Sequence, residues 1–171
     1  SEVWINDTYL GKRPNRYVPI LYDLTPYLNR RELDRYETTF GIRFFHFDAE
    51  KGFFLNGHSL KIRGVCLHSD LGALGMAFNR SAAERQLRIM KEMGVNGIRT
   101  SHNPPAVEFL DLCDEMGFVV MNETFDVWKH QKNPYDYHLY WDEWYERDFA
   151  THIKRDRNHP SLFMWCLGNE A

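Results

Sequence analysis

Two hydrophobic periods divide the chain. From Val3 to Tyr9, apolar and polar residues alternate about an Asn6-Asp7 turn, and Tyr17-Val18-Pro19-Ile20-Leu21-Tyr22 is a second short run of strand type. Alternation with period two predicts half-buried strands. Tyr36 to Phe40 and Arg43 to Phe47 read as further strands. Asn56-Gly57, between Phe53-Phe54-Leu55 and Leu60-Lys61-Ile62, predicts a β-hairpin, because both central residues of a tight hairpin turn take positive φ.

From about residue 61 the period lengthens. Ile62 to Leu67 reads as a strand. Ser81-Ala82-Ala83-Glu84 predicts a capping box, with Ser81 at the N-cap and Glu84 three residues on. Ala83, Leu87 and Met90 then fall on one helical face, and Gly94 stops the helix. Val95 to Thr100 is the next strand. Pro105 is expected to open a second helix, where its missing N–H costs nothing. That helix buries Ala106, Phe109, Leu110, Cys113 and Met116, and Gly117 ends it. Phe118 to Met121 is a third strand. An insert rich in Trp, Tyr and Asp runs from Trp128 towards Tyr140. A third helix covers Trp141 to Arg155, with Trp141, Trp144, Tyr145, Phe149 and His152 at helical spacing and Glu143, Arg147 and Asp148 expected in solvent. Leu162 to Leu167 is a fourth strand. The order β-α-β-α-β-α-β predicts a parallel sheet with right-handed crossovers.

Each of these four strands ends in polar or titratable residues: His68 and Asp70, then Ser101 and His102, then Glu123 and Asp126, then Asn169 and Glu170. The C-terminal ends of the strands are where a (β/α)8 barrel builds its active site. The βα units run to about 34 residues each, near the roughly 31 of such a barrel, although a doubly wound sheet has similar spacing. No Gly-x-Gly-x-x-Gly follows the first of these strands, which counts against a dinucleotide-binding sheet. The expected fold is α/β: the first half of a (β/α)8 TIM barrel, preceded by β-sandwich remnants.

Composition narrows the function classes. Lys+Arg 21 against Asp+Glu 24 gives a net charge of −3, so there is no basic footprint for nucleic acid. No apolar run reaches the ~18 residues of a membrane-spanning helix. A hydrophobic fraction of 43% supports a packed core and counts against disorder. Cys66, Cys113 and Cys166 lack metal-ligand spacing, and each lies among apolar neighbours, so each reads as a small buried hydrophobe. An odd count without a disulfide framework, and no visible signal peptide at Ser1-Glu2-Val3-Trp4, favour the cytoplasm over the periplasm or secretion. Aromatic residues at 15% read first as core rings and second as sugar-stacking faces.

Four ordered motifs carry a family resemblance. Gly64-Val65-Cys66-Leu67-His68-Ser69-Asp70-Leu71-Gly72, Ile98-Arg99-Thr100-Ser101-His102-Asn103-Pro104-Pro105 and Asn122-Glu123-Thr124-Phe125-Asp126-Val127-Trp128 resemble the first three barrel strands of glycoside hydrolase family 2. Arg155-Asp156-Arg157-Asn158-His159-Pro160-Ser161 leading to Trp165-Cys166-Leu167-Gly168-Asn169-Glu170 resembles its fourth, and the β-galactosidase branch is the most similar. Upstream, Trp4-Ile5-Asn6-Asp7-Thr8-Tyr9-Leu10-Gly11 and Asp23-Leu24-Thr25-Pro26-Tyr27-Leu28 resemble the family's sugar-binding jelly roll. Asp34 to Arg43 resembles the last strands of its immunoglobulin-like domain. The resemblance implies a jelly-roll remnant over 1–29, a sandwich remnant over 30–52 and the N-terminal half of the barrel over 53–171. The chain is expected to be a fragment, inactive alone, that lacks most of the middle domain and the second half of the barrel.

The resemblance also implies a mechanism: retaining double displacement by two carboxylates about 5–5.5 Å apart. Glu170 falls on the general acid/base. It needs a carboxyl pKa raised by burial and by its partner carboxylate, with Trp165 as one source of burial. The nucleophile is expected outside this chain. Asn169 falls on the residue that bonds the sugar 2-hydroxyl. His102 and Asp70 fall on sugar contacts, and Trp128 is either a stacking wall or a core ring. His68, Glu123 and Asp126 support these from behind, while Arg155 and Arg157 brace the loop into the fourth strand. Well-studied β-galactosidases hold magnesium near the acid/base through a Glu-x-His pair after the third strand. Asp126-Val127-Trp128 departs from that pattern, so no metal or other cofactor is assigned. The residue types of His68, Asp70, His102 and Glu123 also suit a metal-dependent hydrolase, a reading that the four motifs together count against. The expected partner is a carbohydrate substrate, with no nucleic acid and no membrane, and with a homo-oligomer or a complementing fragment as the protein partner. β-Glucuronidase, β-mannosidase and a non-catalytic carbohydrate-binding fragment are the alternatives to β-galactosidase.

Overall fold

The computed structural model describes residues 2–5, 8–12, 37 and 40–170. The expected strand at Tyr17 to Tyr22 lies outside the described residues, as does Tyr36 to Phe40 apart from Glu37 and Phe40. The chain divides into two units, Ser1–Leu60 and Lys61–Ala171.

In the first unit, β1 (Glu2–Ile5) pairs antiparallel with β2 (Thr8–Lys12), as the alternation predicts. β3 (Phe45–Asp48), β4 (Gly52–Leu55) and β5 (His58–Ser59) form a three-stranded antiparallel meander. Asp48 Oδ1 accepts from the Glu50 and Lys51 amides and so shapes the first turn. Asn56 and Gly57 make the second, both at positive φ (51° and 83°). This hairpin pairs with β3, and the two units divide after Leu60.

The second unit is a four-stranded parallel sheet in the order β6-β7-β8-β9: Gly64–His68, Gly97–Ser101, Val119–Glu123 and Leu162–Cys166. Helices α1 (Arg80–Glu92), α2 (Val107–Met116) and α3 (Trp141–Asp156) connect them. The core lies between sheet and helices. Ala83 and Leu87 of α1 and Phe109, Leu110, Leu112 and Cys113 of α2 pack with Ile98, Val120 and Leu162 of the strands. Leu87 and Leu110 are fully buried, so truncating either to Ala costs about 2–5 kcal/mol. The opposite, open face of the sheet carries Cys66, Arg99, Met121 and Met164 in one row of cross-strand partners, with Glu123 beside Cys166 one step on.

Several expectations need correction. The cap of α1 is Asn79, whose Oδ1 accepts from the Ala82 amide at 3.0 Å; Asn caps as well as Ser, and Ser81 lies inside the helix. Glu84 pairs with Arg88 one turn on instead of closing a box. α2 begins at Val107, after Pro104 and Pro105, and ends at Gly117 as expected. Of the cysteines only Cys113 is buried; Cys66 and Cys166 fall on the open face by strand parity. Asp148 is half-buried and accepts from the Tyr137 hydroxyl at 2.7 Å rather than facing water. Among the described residues, Phe53, Phe109, Phe118 and Phe125 are the buried rings, fewer than a core reading of the aromatic excess implies. No described helix is long and apolar enough to cross a membrane.

Candidate active site

The open face gathers its polar residues at the C-terminal strand ends, and Arg99 of β7 ties them together. Its Nη2 donates to Glu123 Oε1 at 2.6 Å and to Asn169 Oδ1 at 3.0 Å. Burial works against its charge, yet the bonds to Cys66 and Glu123 hold the guanidinium pKa above its ordinary value. Glu123 has a fully buried side chain. An uncompensated buried carboxylate costs several kcal/mol, and here every approach is met. Arg99 bonds one oxygen, His102 Nδ1 lies 2.9 Å from the other, and the Cys166 thiol donates at 3.4 Å.

That arrangement fixes the imidazole: the carboxylate accepts from His102 Nδ1, and the ring's Nε2 points the other way. The exposed His68 stands edge-on to this ring at 5.2 Å. Asp70 is exposed and turns back on its own loop, accepting from the Gly72 amide at 2.7 Å.

The segments after β8 and β9 are zipped together. The Asn169 amide donates to Phe125 O at 3.1 Å, and the Glu170 amide donates to Asp126 O at 2.9 Å. Asn169 Nδ2 donates to Asp126 Oδ1 at 3.1 Å, so its side chain is held from both ends. Trp128 lies beneath: its indole donates to Leu167 O, and its ring stacks on Trp141. A Cβ on Gly168 would come within 2.3 Å of the Trp128 Nε1, so only glycine lets the chain pass over that ring. Trp128 thus sets the path of the Gly168-Asn169-Glu170 turn.

Glu170 is held with its side chain 59% exposed. Its Oε1 lies 3.4 Å from Lys132 Nζ, which also donates to both oxygens of Asp126 at 3.1 and 3.2 Å. Burial pushes the Asp126 carboxyl up, but bonds from Lys132 and Asn169 outweigh it and hold the group below its usual range. The bond to Asp126 holds the Lys132 ammonium above its ordinary value. The expected cover from Trp165 is not made. Val120 pairs with Leu162 but Met121 with Met164, so Phe163 is an extra residue. That bulge turns Trp165 to the helix side, edge-on to His152 at 5.2 Å.

The structure therefore brings together His68, His102, Glu123, Asp126, Asn169 and Glu170, with Trp128 under the turn and Asp70 apart. Sequence reasoning missed Arg99 and Lys132. Arg99 had a signal, since a charged residue between Ile98 and Thr100 in a buried strand needs an acidic partner. Lys132 had none, because its position depends on how an irregular loop folds.

Neither metal reading fits. A magnesium bridging Asp126 and Glu170 would meet the Lys132 ammonium already placed between those carboxylates, with no histidine at the required spacing. The set His68, Asp70, His102 and Glu123 is divided by the bonds just described. Among the described residues the close carboxylate-imidazole grouping is Asp111, Asp114 and His159. There Asp114 accepts from the Ser161 amide and bonds His159, which ties α2 to the loop before β9.

The model of the glycosyl hydrolases family 2 TIM barrel domain matches residues 48–171. A β-galactosidase of Bacteroides ovatus, BoGH2A, is 60% identical over 176 residues, which covers 100% of this chain and 21% of that protein. A β-glucuronidase of Bacteroides fragilis is 33% identical over 156 residues, covering 89% of this chain and 22% of that one. The crystal structure of a β-glycosidase from Bacteroides vulgatus superposes with a TM-score of 0.75 at 48% identity, over 77% of this chain and 17% of that one. The chain thus spans about a fifth of the length of the curated relatives it matches.

Proposed function

The chain belongs to glycosyl hydrolase family 2, and from that premise we propose that it is the acid/base-bearing segment of a retaining β-glycosidase. Glu170 is the general acid/base. It protonates the glycosidic oxygen as the bond breaks, then takes a proton from the water that releases the sugar. The nucleophile is a carboxylate of the longer protein, about 5–5.5 Å from Glu170 in the retaining geometry. The observation that carries this reading is the pinned Asn169-Glu170 pair. Both backbone amides and the Asn169 side chain are held, while the Glu170 carboxylate stays open to a ligand.

The other residues orient the sugar. His102 Nε2 hydrogen-bonds a sugar hydroxyl. Asn169 turns its amide towards the 2-hydroxyl, a contact that strengthens as the ring flattens. Trp128 supports the turn from beneath. Fixed dipoles of this kind need no reorganisation when charge develops, which is where electrostatic catalysis gains most.

A terminal β-galactoside is the proposed substrate, supported by the name of the relative at 60% identity. β-Glucuronide is the second reading, supported by the relative from Bacteroides fragilis. The test uses the intact protein that carries these residues. Replacing Glu170 by Ala removes both protonation and base assistance, so turnover collapses. Azide, an anion that needs no deprotonation, then restores it and yields a β-glycosyl azide of retained configuration. An inactive variant that azide leaves inactive, or one that keeps its turnover, contradicts the assignment. Parallel assays on aryl β-galactoside and aryl β-glucuronide decide between the two sugars.

A further inference from the structure

We infer that Lys132 is a positioning residue for the acid/base, an ammonium clamp that holds the Glu170 carboxylate in its protonating pose. The inference rests on the reading of Glu170 given above and adds to it the group that fixes its side chain.

The backbone of Glu170 is held by Asp126 O, but its side chain is more than half exposed and has one charged neighbour among the described residues. That neighbour is Lys132, whose Nζ reaches Glu170 Oε1 at 3.4 Å. A lone exposed ion pair is weak, about 0–1 kcal/mol, because two long side chains must give up rotamers to make it. Two features lower that cost here. Lys132 Nζ is already anchored on both oxygens of Asp126, and Asp126 is in turn bonded by Asn169. The loop that carries Lys132 is fixed independently by Asp136, which accepts from the Lys132, Asn133 and His138 amides and from the His138 ring. The ammonium is therefore set between two carboxylates before any substrate arrives.

The charge suits the position. Asp126 and Glu170 would otherwise face each other as two anions at the strand ends, and the lysine neutralises one of them without a metal ion. The His102 ring, from the β7 loop, is the other titratable group that acts on Asp126. Glu170 held by Lys132 keeps the direction from which it can reach a leaving-group oxygen.

The test is the leaving-group dependence of kcat/KM in the intact protein, measured on aryl β-glycosides of whichever sugar it turns over. A dinitrophenolate departs without a proton, whereas a phenolate needs the acid, so only the second reports on the pose of Glu170. Lys132→Met should lower kcat/KM for the phenyl glycoside about tenfold, a part of the 10²–10⁴ that general acid catalysis supplies. It should leave the dinitrophenyl glycoside within about twofold, and Lys132→Arg should restore the phenyl glycoside. An equal loss on both substrates, or no loss on either, overturns the clamp. Glu170→Gln in the same series separates the two readings. A steep dependence with Glu170→Gln and a flat one with Lys132→Met sinks the clamp alone. A flat dependence with Glu170→Gln sinks the acid/base assignment itself.

Discussion

Asn122 and Glu123 are neighbours in β8, both fully buried, and they serve two networks on opposite faces of one sheet. On the helix side, Asn122 accepts from Thr100 and donates to Asp156 Oδ2 at 2.9 Å. Asp156 is held further by Arg155, and His152 Nε2 lies 3.1 Å away while its Nδ1 meets Thr124. Arg155 also bonds Pro105 O, which locks α3 to the loop before α2. The network centres on the fully buried Asp156 and ends on Arg155, which is partly exposed yet bound on both sides, to Asp156 and to Pro105 O. On the open side, Glu123 starts a network of similar length through Arg99, Asn169, Asp126 and Lys132, but that one ends on an exposed carboxylate. A closed network stabilises the fold. A network that ends in an unsatisfied group holds that group ready for a ligand.

The largest effect should come from breaking the open network at its root. Arg99→Met takes from the buried Glu123 its guanidinium partner and frees one end of the Asn169 side chain, so unfolding stability should fall by about 3–5 kcal/mol and turnover should fall with it. Urea unfolding of the variant checks this, and a loss confined to activity would show that Arg99 is not structural.

The closed network should behave differently. Burial pushes the Asp156 carboxyl up, but its bonds from His152, Arg155 and Asn122 prevail and bring it down to about 2. A depressed folded value contributes stability above the unfolded value, and that stability disappears as pH falls. Wild type should therefore lose about 2 kcal/mol between roughly pH 4 and pH 2 that Asp156→Asn has already lost. Near neutral pH the variant should be less stable by a similar amount, with kcat/KM unchanged once folded. A pH series of unfolding curves for both proteins measures this, and equal acid slopes would contradict it.

Two smaller effects set the floor. Asn79→Ala removes the cap of α1, far from both networks, and should cost about 1 kcal/mol with no change in activity. Chelation with EDTA should leave turnover unchanged, because the Lys132 ammonium meets the carboxylates that a magnesium would need. A chelator-sensitive rate restored by magnesium would contradict the lysine's place.

The sequence made much of this comparison readable, and its limits have physical causes. The four strands and three helices follow from the change of period after residue 61, and helix stops at Gly94 and Gly117 are local signals. The strand-end residues were legible because polar groups at the C-terminal ends of parallel strands have few structural reasons to be there. The facing of Trp165 was not legible. A single extra residue at Phe163 reverses the parity of β9, and nothing local announces it. Ser81 and Asn79 are both good caps two residues apart, so propensity alone could not choose between them. Lys132 depended on Asp136 gathering the amides of its loop, a tertiary feature without periodicity.

The separation of the two faces rests most directly on Glu170. Measured in the intact protein, Glu170→Gln should lower kcat/KM for an unactivated β-glycoside by about 10²–10⁴. Its thermal midpoint should stay within about 1 °C of wild type, since an exposed pair contributes little to stability. A loss below about tenfold, or a loss accompanied by a fall in the midpoint of several degrees, would contradict the account.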